Sequence, residues 1–344
     1  MVKVLLIGSG GREHAIAKFV KKGEDVKLYG YLSGRNPGII GLCEEYRVGD
    51  ITDPVQVTAY AEEKGIDLAI VGPEAPLEVG VIDSLEEAGI GCVGPRREAA
   101  RIETDKAFCK ELMAKYGTGG VPEFKVFQDP QEACRYLDAY DKPVAIKPAG
   151  LTGGKGVKVM GDHLKDVQEA KEYVVEIFEK GIGTLPKVVV EEKLEGEEFS
   201  LQAFTDGERL LATPCVQDHK RALEGDRGLN TGGMGSYSDK DHLLPFLTRQ
   251  DLEKSLEIME RTIQAIKKEV GTPFKGILYG GFIATAKGPM ILEFNARLGD
   301  PEAINILPIF EGDPIELLYG VAAVSYTHLR AHETRHDLVC RLLL

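Results

Sequence analysis

Short apolar runs alternate with amphipathic stretches up to about residue 95. Val4–Ile7 is apolar throughout and ends in Gly8-Ser9-Gly10-Gly11, after which Glu13 to Lys22 carries helical spacing. A strand-like Val26–Tyr31, a helical Pro54–Lys64, the strand Leu68–Val71, a helical Pro76–Ala88 and a short strand at Gly91–Val93 follow. Strands apolar on both faces, interleaved with amphipathic helices, predict a parallel sheet covered by helices on both sides. The loops Gly8–Gly11, Gly34–Gly38 and Gly72–Glu74 then collect at the C-terminal ends of the strands, the ligand edge of open α/β sheets.

The pattern changes beyond about residue 98. Glu98–Tyr116 reads as one helix, and Glu123 to Thr213 as strands with one or two helices. Gln217 to Ser238 is polar, Gly-rich and without period. A long helix, Leu252–Val270, precedes the strands Gly276–Ala286 and Met290–Phe294, and a last helix runs through Leu317 to Ala322. This mixture predicts an α+β unit separate from the first, in a chain whose 344 residues suffice for two or three domains. The boundaries expected are 1–97, 98–323 with a subdomain at about 118–200, and a final 324–344.

Charge and composition narrow the class. Lys and Arg number 42 against 55 Asp and Glu, a net −13, which argues against a nucleic-acid binder or an anionic-membrane surface protein. No run approaches the ~20 apolar residues of a membrane span. The Lys3–Ile7 run is too short for a signal-peptide core. Cys43, Cys92, Cys109, Cys134, Cys215 and Cys340 form no C-x-x-C and no zinc spacing with His, which suits a reducing cytoplasm. The 40 glycines cluster in short loops between apolar runs.

Four loops carry candidate chemistry. Gly8-x-Gly10, between a strand and a helix, gathers backbone amides at a helix N-terminus. It suits a phosphate or ribose-phosphate better than a dinucleotide, because Glu13 holds the third Gly position and no acidic residue ends the second strand. A tight turn explains the glycines but not Arg12 and His14 beside them. Lys147-Pro148-Ala149-Gly150-Leu151-Thr152-Gly153-Gly154-Lys155-Gly156 is a Gly-rich hairpin bracketed by lysines; it lacks the Walker A pattern and reads as a flap over a polyphosphate. Glu191-Glu192-Lys193-Leu194-Glu195-Gly196-Glu197-Glu198 is an acidic turn between two strands, which by itself reads better as a solvated turn. On the late strand, Glu293, Asn295 and Arg297 share one face. A carboxylate with an amide oxygen is a hard donor set for Mg²⁺, and a surface salt bridge is the competing account.

In this order the flap hairpin, the E-E-x-L-x-G-x-E turn and the E-F-N strand resemble the ATP-grasp superfamily. Gly8-Ser9-Gly10-Gly11-Arg12-Glu13-His14, Gly72-Pro73-Glu74-Ala75-Pro76, Gln217-Asp218-His219-Lys220, Asn230-Thr231-Gly232-Gly233-Met234-Gly235 and Arg297-Leu298-Gly299-Asp300-Pro301-Glu302 closely resemble the phosphoribosylamine–glycine ligases, over residues 1 to about 323. The resemblance implies an N-terminal parallel α/β domain followed by an ATP-grasp fold. It implies ATP-dependent joining of glycine to 5-phosphoribosylamine through a glycyl phosphate, in purine synthesis, with Mg²⁺ or Mn²⁺ and with no nucleic-acid or membrane partner.

Residue by residue, the resemblance implies that Lys106, Lys147 and the flap Gly153, Gly154, Lys155 and Gly156 hold ATP phosphates. Glu191, Glu192 and Leu194 would hold adenine, and Glu198 the ribose. Glu293 and Asn295 would bind metal, with Asp218, Lys147 and Arg297 in catalysis. Gly10, Gly11, Arg12, Glu13, Gly72, Pro73, Glu74, Gly232 and Gly233 would receive substrate. Ala149 stands where many members have Asp, and Gly281 has no side chain where some offer a further ligand, which leaves a third metal ligand open. The family also continues into a small C-terminal domain that this chain is expected to lack. Residues 324–344, with His328, His332 and His336, read either as a metal site or as translated adaptor sequence, and are taken as a non-native tail.

Overall fold

The computed structural model describes residues 1–153, 156–225 and 227–322. The first unit runs β1 (Val2–Ile7), α1 (Gly11–Val20), β2 (Val26–Leu32), α2 (Pro37–Ile40), β3 (Glu45–Val48), α3 (Pro54–Lys64), β4 (Leu68–Val71), α4 (Ala75–Glu78), α5 (Val81–Glu87) and β5 (Gly91–Val93). Its five strands are parallel in the order β3-β2-β1-β4-β5. The winding reverses at β1, so the loops after β1 and β4 lie side by side, and the Gly72 amide donates to the Ile7 carbonyl there.

The expected helix over Pro76–Ala88 is two. Gly80 sits at φ +82°, a left-handed conformation that stops α4 and starts α5. The expected helix Glu98–Tyr116 is also two, α6 (Arg97–Thr104) and α7 (Lys106–Tyr116), because Asp105 is extended and its carboxylate accepts the amides of Ala107 and Phe108. The short α2 and the exposed edge strand β3 carry too little periodicity to be legible in the sequence.

The second unit contains two antiparallel four-stranded sheets. The first, in the order β6-β9-β7-β8, is built from β6 (Phe124–Phe127), α8 (Pro130–Ala139), β7 (Val144–Pro148), β8 (Lys158–Val159), α9 (Val167–Lys180) and β9 (Val188–Glu192). One face packs Val144, Ile146, Val188 and Val190 against Tyr173, Val174 and Ile177 of α9. The second sheet is β11-β10-β14-β15, from β10 (Glu197–Thr205), β11 (Leu210–Ala212), β14 (Gly276–Thr285) and β15 (Gly288–Asn295). The stretch Gln217 to Ser238 forms β12 (Gln217–Leu223) and β13 (Arg227–Tyr237), a two-stranded ribbon with register shifts. β12 has no continuous buried face, so no alternation marked it. The long helix is α10 (Arg249–Val270), followed by α11 (Glu302–Ile306) and α12 (Pro314–Ala322).

The units share their cores. Leu5, Ile7 and Val71 of the first sheet belong to one buried cluster with Phe199, Phe282 and Phe294 of the second unit. Val4, Leu6 and Phe19 pack with Leu298, Ile306 and Leu318 on the opposite face. Among the described residues no helix is long and apolar enough to cross a membrane.

Candidate active site

One side of the site is built where the first antiparallel sheet meets α7. Ala145 of β7 faces Glu191 of β9, so Lys147, two residues along, shares Glu191's face. Lys147 Nζ lies 3.0 Å from Glu191 Oε2 and donates to the Leu292 carbonyl at 2.8 Å. Lys106 opens α7; its amide donates to the Ala149 carbonyl at 2.7 Å and its Nζ to the Gly150 carbonyl at 3.3 Å, which ties the helix start to the base of the flap. Ala149 is fully buried against Ala107 and Val189. The flap is a hairpin between β7 and β8, with Gly153 at φ +59° and the Gly156 carbonyl accepting from Tyr173 at 2.7 Å. Gly154 and Lys155, expected in the flap, lie outside the described residues.

The acidic turn joins β9 to β10. Glu192 accepts the Glu123 amide at 3.0 Å, Leu194 is half-buried, and exposed Glu198, in the first residues of β10, lies 3.4 Å from Lys220 Nζ. Glu191 differs from its neighbours in being 2 % exposed, with Oε1 buried and without a hydrogen-bond partner. A buried acceptor left open fits an N–H donor brought by a ligand.

Across from this lies the E-F-N strand. Glu293 and Asn295 share a face as expected, but β15 ends at Asn295, because the Ala296 amide turns to Glu103 Oε2 at 2.6 Å instead of a strand partner. Arg297 therefore stands beyond the strand, and its guanidinium reaches back to Asn295 Oδ1 at 3.1 Å. Burial alone would raise the Glu293 carboxyl, yet Lys106, Lys220, Lys147 and Arg297 outweigh it and hold Glu293 below the ordinary carboxylate range. Gly281 is the cross-strand partner of Glu293 and adds no donor. Among the described residues no three His, Cys, Asp or Glu stand together as a metal cage.

Asp218 on β12 lies 3.6 Å from Lys220 Nζ, and both face Glu293 and Glu302. Burial would lower the Lys220 ammonium, but Asp218, Glu198, Glu293 and Glu302 keep it above its ordinary value. Glu302, 2 % exposed, accepts from Tyr279 at 2.9 Å, and burial together with Asp218 raises its carboxyl. A raised folded value means that stability is full below the ordinary carboxylate value and is lost as pH rises through the raised one. Glu302→Gln, which keeps an acceptor for Tyr279, is therefore expected to raise Tm by about 2 °C at neutral pH and to leave it unchanged below about pH 4. Thermal unfolding at both pH values measures this, and an equal shift at both would remove the ionisation argument.

The N-terminal loops close the site. Arg12 Nε pairs with Glu13 Oε1 at 2.7 Å, and its NH1 donates to the Leu298 carbonyl at 3.1 Å. Glu13 is buried beneath the loop, where a Cβ on Gly72 would lie 2.3 Å from its Oε1, so Gly72 must be glycine. The anion site expected at this loop is partly filled by the chain itself: the Gly10 amide donates to Glu13, and the Arg12 amide to Asp300 at 3.3 Å. Gly11 lies beside the Asp300 carboxylate, Pro73 packs on Gly8, and Gly233 of β13 packs on Pro301. Arg297 joins the two units, with its NH2 2.9 Å from Glu103 and its Nε 3.4 Å from Glu74. Gly232 lies in β13 beside Gly233.

Lys147, Glu293 and Arg297 thus form an inner group, and Arg297 links it through Glu74 to an outer group on the N-terminal loops. Lys110, Glu103 and Tyr279 were missed. Lys110 stands four residues after Lys106 on one face of α7, a spacing that by itself marks an ordinary helix face.

Two family models cover the chain. "Phosphoribosylglycinamide synthetase, N domain" matches residues 2–103, and "Phosphoribosylglycinamide synthetase, ATP-grasp (A) domain" matches 104–303. A protein of Methanopyrus kandleri named phosphoribosylamine–glycine ligase is 60% identical over 327 residues, covering 94% of this chain and 73% of the relative. A Methanothermobacter thermautotrophicus protein of the same name is 50% identical, covering 93% and 72%. A solved phosphoribosylamine–glycine ligase from Thermotoga maritima superposes with a TM-score of 0.77 at 30% identity, covering 94% of this chain and 76% of that one. A biotin carboxylase from Campylobacter jejuni, at 14% identity and a TM-score of 0.68 over 94% and 72%, shares the fold.

Proposed function

The chain belongs to the phosphoribosylglycinamide synthetase family, and we propose that the residues described above divide that family's reaction as follows. The reaction is the ATP-dependent, ADP-forming ligation of glycine to phosphoribosylamine in purine biosynthesis. The observation that carries the assignment is the set of four cations, Lys106, Lys147, Lys220 and Arg297, around the single carboxylate of Glu293.

A glycine carboxylate oxygen attacks the γ-phosphorus, and the bond to ADP breaks. The amine of phosphoribosylamine then attacks the carbonyl of the glycyl phosphate, phosphate leaves, and the nitrogen loses a proton. Neither step requires a protein nucleophile, so positioning and charge neutralisation are the protein's work. Lys106, Lys147 and the flap, with Gly153, Gly154, Lys155 and Gly156, neutralise ATP phosphates. The backbone from Glu191 to Leu194 borders adenine, the open Glu191 Oε1 suits its amino group, and Glu198 meets the ribose. Glu293 and Asn295 would hold the divalent cation, Mg²⁺ or Mn²⁺; a carboxylate held ionised beside an amide oxygen is a fitting donor pair. When bound, that cation neutralises charge on the phosphates. Asp218 takes the glycine ammonium, and Arg297 faces the transferring phosphoryl group.

Phosphoribosylamine lies at Gly10, Gly11, Arg12, Glu13, Gly72, Pro73, Glu74, Gly232 and Gly233. Arg12→Ala is expected to raise the KM for phosphoribosylamine about tenfold with little change for ATP. It also removes the partner of buried Glu13, so a fall in Tm accompanies it. A KM increase for ATP instead would exchange the two anion sites. The reading as a whole is tested by ADP release with glycine and phosphoribosylamine omitted in turn. Turnover is expected only with glycine present, and undiminished ADP release without it would overturn the assignment.

A further inference from the structure

A buried lysine that the reaction above does not use stands behind the phosphate-binding one. Lys110 projects from α7 one turn after Lys106 and is 2 % exposed. Its Nζ lies 3.3 Å from Glu191 Oε2, the same oxygen that Lys147 approaches at 3.0 Å. The two ammonium groups also donate to consecutive carbonyls of β15, Lys110 to Ile291 at 3.0 Å and Lys147 to Leu292 at 2.8 Å. Two buried cations thus share one carboxylate oxygen, and both are anchored to the strand that carries Glu293.

This arrangement has an electrostatic consequence. A carboxylate paired with a single lysine neutralises it; a carboxylate divided between two leaves a net positive charge of one. Burial makes that surplus effective, because little water screens it. A merely structural pair would be complete with Glu191 and one lysine; burial of the second works against the Lys110 ammonium, which Glu191 opposes, so two buried lysines on one carboxylate oxygen are costly unless a further anion is to meet them.

We propose that Lys110 is a positioning residue for ATP: by taking a share of Glu191 it keeps Lys147 from being neutralised and fixes the Lys147 ammonium toward the nucleotide phosphates. The proposal rests on the reading of Lys147 as a phosphate ligand. Lys110 has no contact with substrate itself and acts through Glu191 and Lys147.

The test is nucleotide affinity in a double-mutant cycle on the full chain. Lys110→Met is expected to weaken ATP binding and raise its KM about tenfold, with the KM for glycine unchanged. Lys110→Arg, which restores the charge, should stay within about threefold of the parent. In a Lys147→Met background the further change Lys110→Met should have almost no effect on ATP affinity, since nothing remains for it to position. If Lys110→Met fails to fold, Lys110→Gln decides: it can still donate to the Ile291 carbonyl but carries no charge, and it should show the same tenfold loss.

Two failures are distinguishable. If Lys147→Met weakens ATP binding but the Lys110 effect is absent or fully additive, Lys110 is structural and the proposal falls while the phosphate role of Lys147 stands. If Lys147→Met leaves ATP binding unchanged, the phosphate role itself is wrong and the proposal falls with it. A loss of Tm alone, with ATP affinity untouched in Lys110→Met, also overturns it.

Discussion

Glu293→Gln is expected to lower turnover about 10³-fold while the protein stays folded, and Asn295→Ala should follow it closely. Both side chains leave one face of β15, and no other described carboxylate cluster stands ready to replace them as a metal cage. The glutamine is nearly isosteric, so the close approach to Gly281 is kept. What changes is charge: a carboxylate held ionised by Lys106, Lys220, Lys147 and Arg297 becomes a neutral amide. The measurement that separates this from a general loss of activity is ADP binding with and without Mg²⁺. Metal should tighten binding to the parent and have little effect on either variant. A metal dependence that persists in both would remove these residues from the metal role, whatever happened to turnover. Asn295→Ala has one further consequence, since it takes away the oxygen that Arg297 donates to, so its phosphoryl-transfer defect should slightly exceed that of the metal-binding loss alone.

The parts of this site that sequence made legible are those set by short-range rules. The loops after β1 and β4 were found because glycines end apolar runs, and parallel winding brings such loops to one edge. Glu293 and Asn295 were found because side chains in strands alternate. The parts that were not legible depend on contacts between distant segments. Lys110 looks like an ordinary helix-surface lysine until its partner, the Ile291 carbonyl, arrives from 181 positions away. Glu103 likewise ends a helix like many others, and its role is fixed only by the Ala296 amide 193 residues on, which also stops β15 short of Arg297. The break at Asp105 has a local cause, a carboxylate accepting two amides of the next turn, but helix propensity on either side concealed it. The first loop shows the reverse case: its amides read as an anion site, and sequence could not show that Glu13 and Asp300 already engage two of them.

Arg297→Lys is expected to lower kcat about 10²-fold with little change in stability, and Arg297→Met to lose both activity and about 3–5 kcal/mol of stability. Arg297 meets Glu103 and Asn295 through one terminal nitrogen and Glu74 through Nε of the same planar group, a spread that a single ammonium cannot reproduce while also facing a phosphoryl group. Lysine still supplies a charge for buried Glu103 and half-buried Glu74; methionine does not. The pH dependence distinguishes the two effects. Burial pushes the Glu74 carboxyl up, but Arg297 and Arg12 bring it below its ordinary value. Glu74 therefore contributes stability that is present above the unfolded carboxylate value and is lost as pH falls through the lower folded one. Glu103 is raised by burial despite Arg297, and loses stability as pH rises through its raised value. Without Arg297 both carboxyls shift upward, so each favours the protonated form in the folded state. The stability deficit of Arg297→Met should then be largest near neutral pH and shrink as both groups protonate on acidification. Denaturant unfolding of parent and variant across the acid range measures it. A deficit independent of pH would mean that Arg297 is held for its packing, and that the bridge from Glu74 to Glu103 contributes nothing to keeping the N-terminal loops against the ATP-binding half.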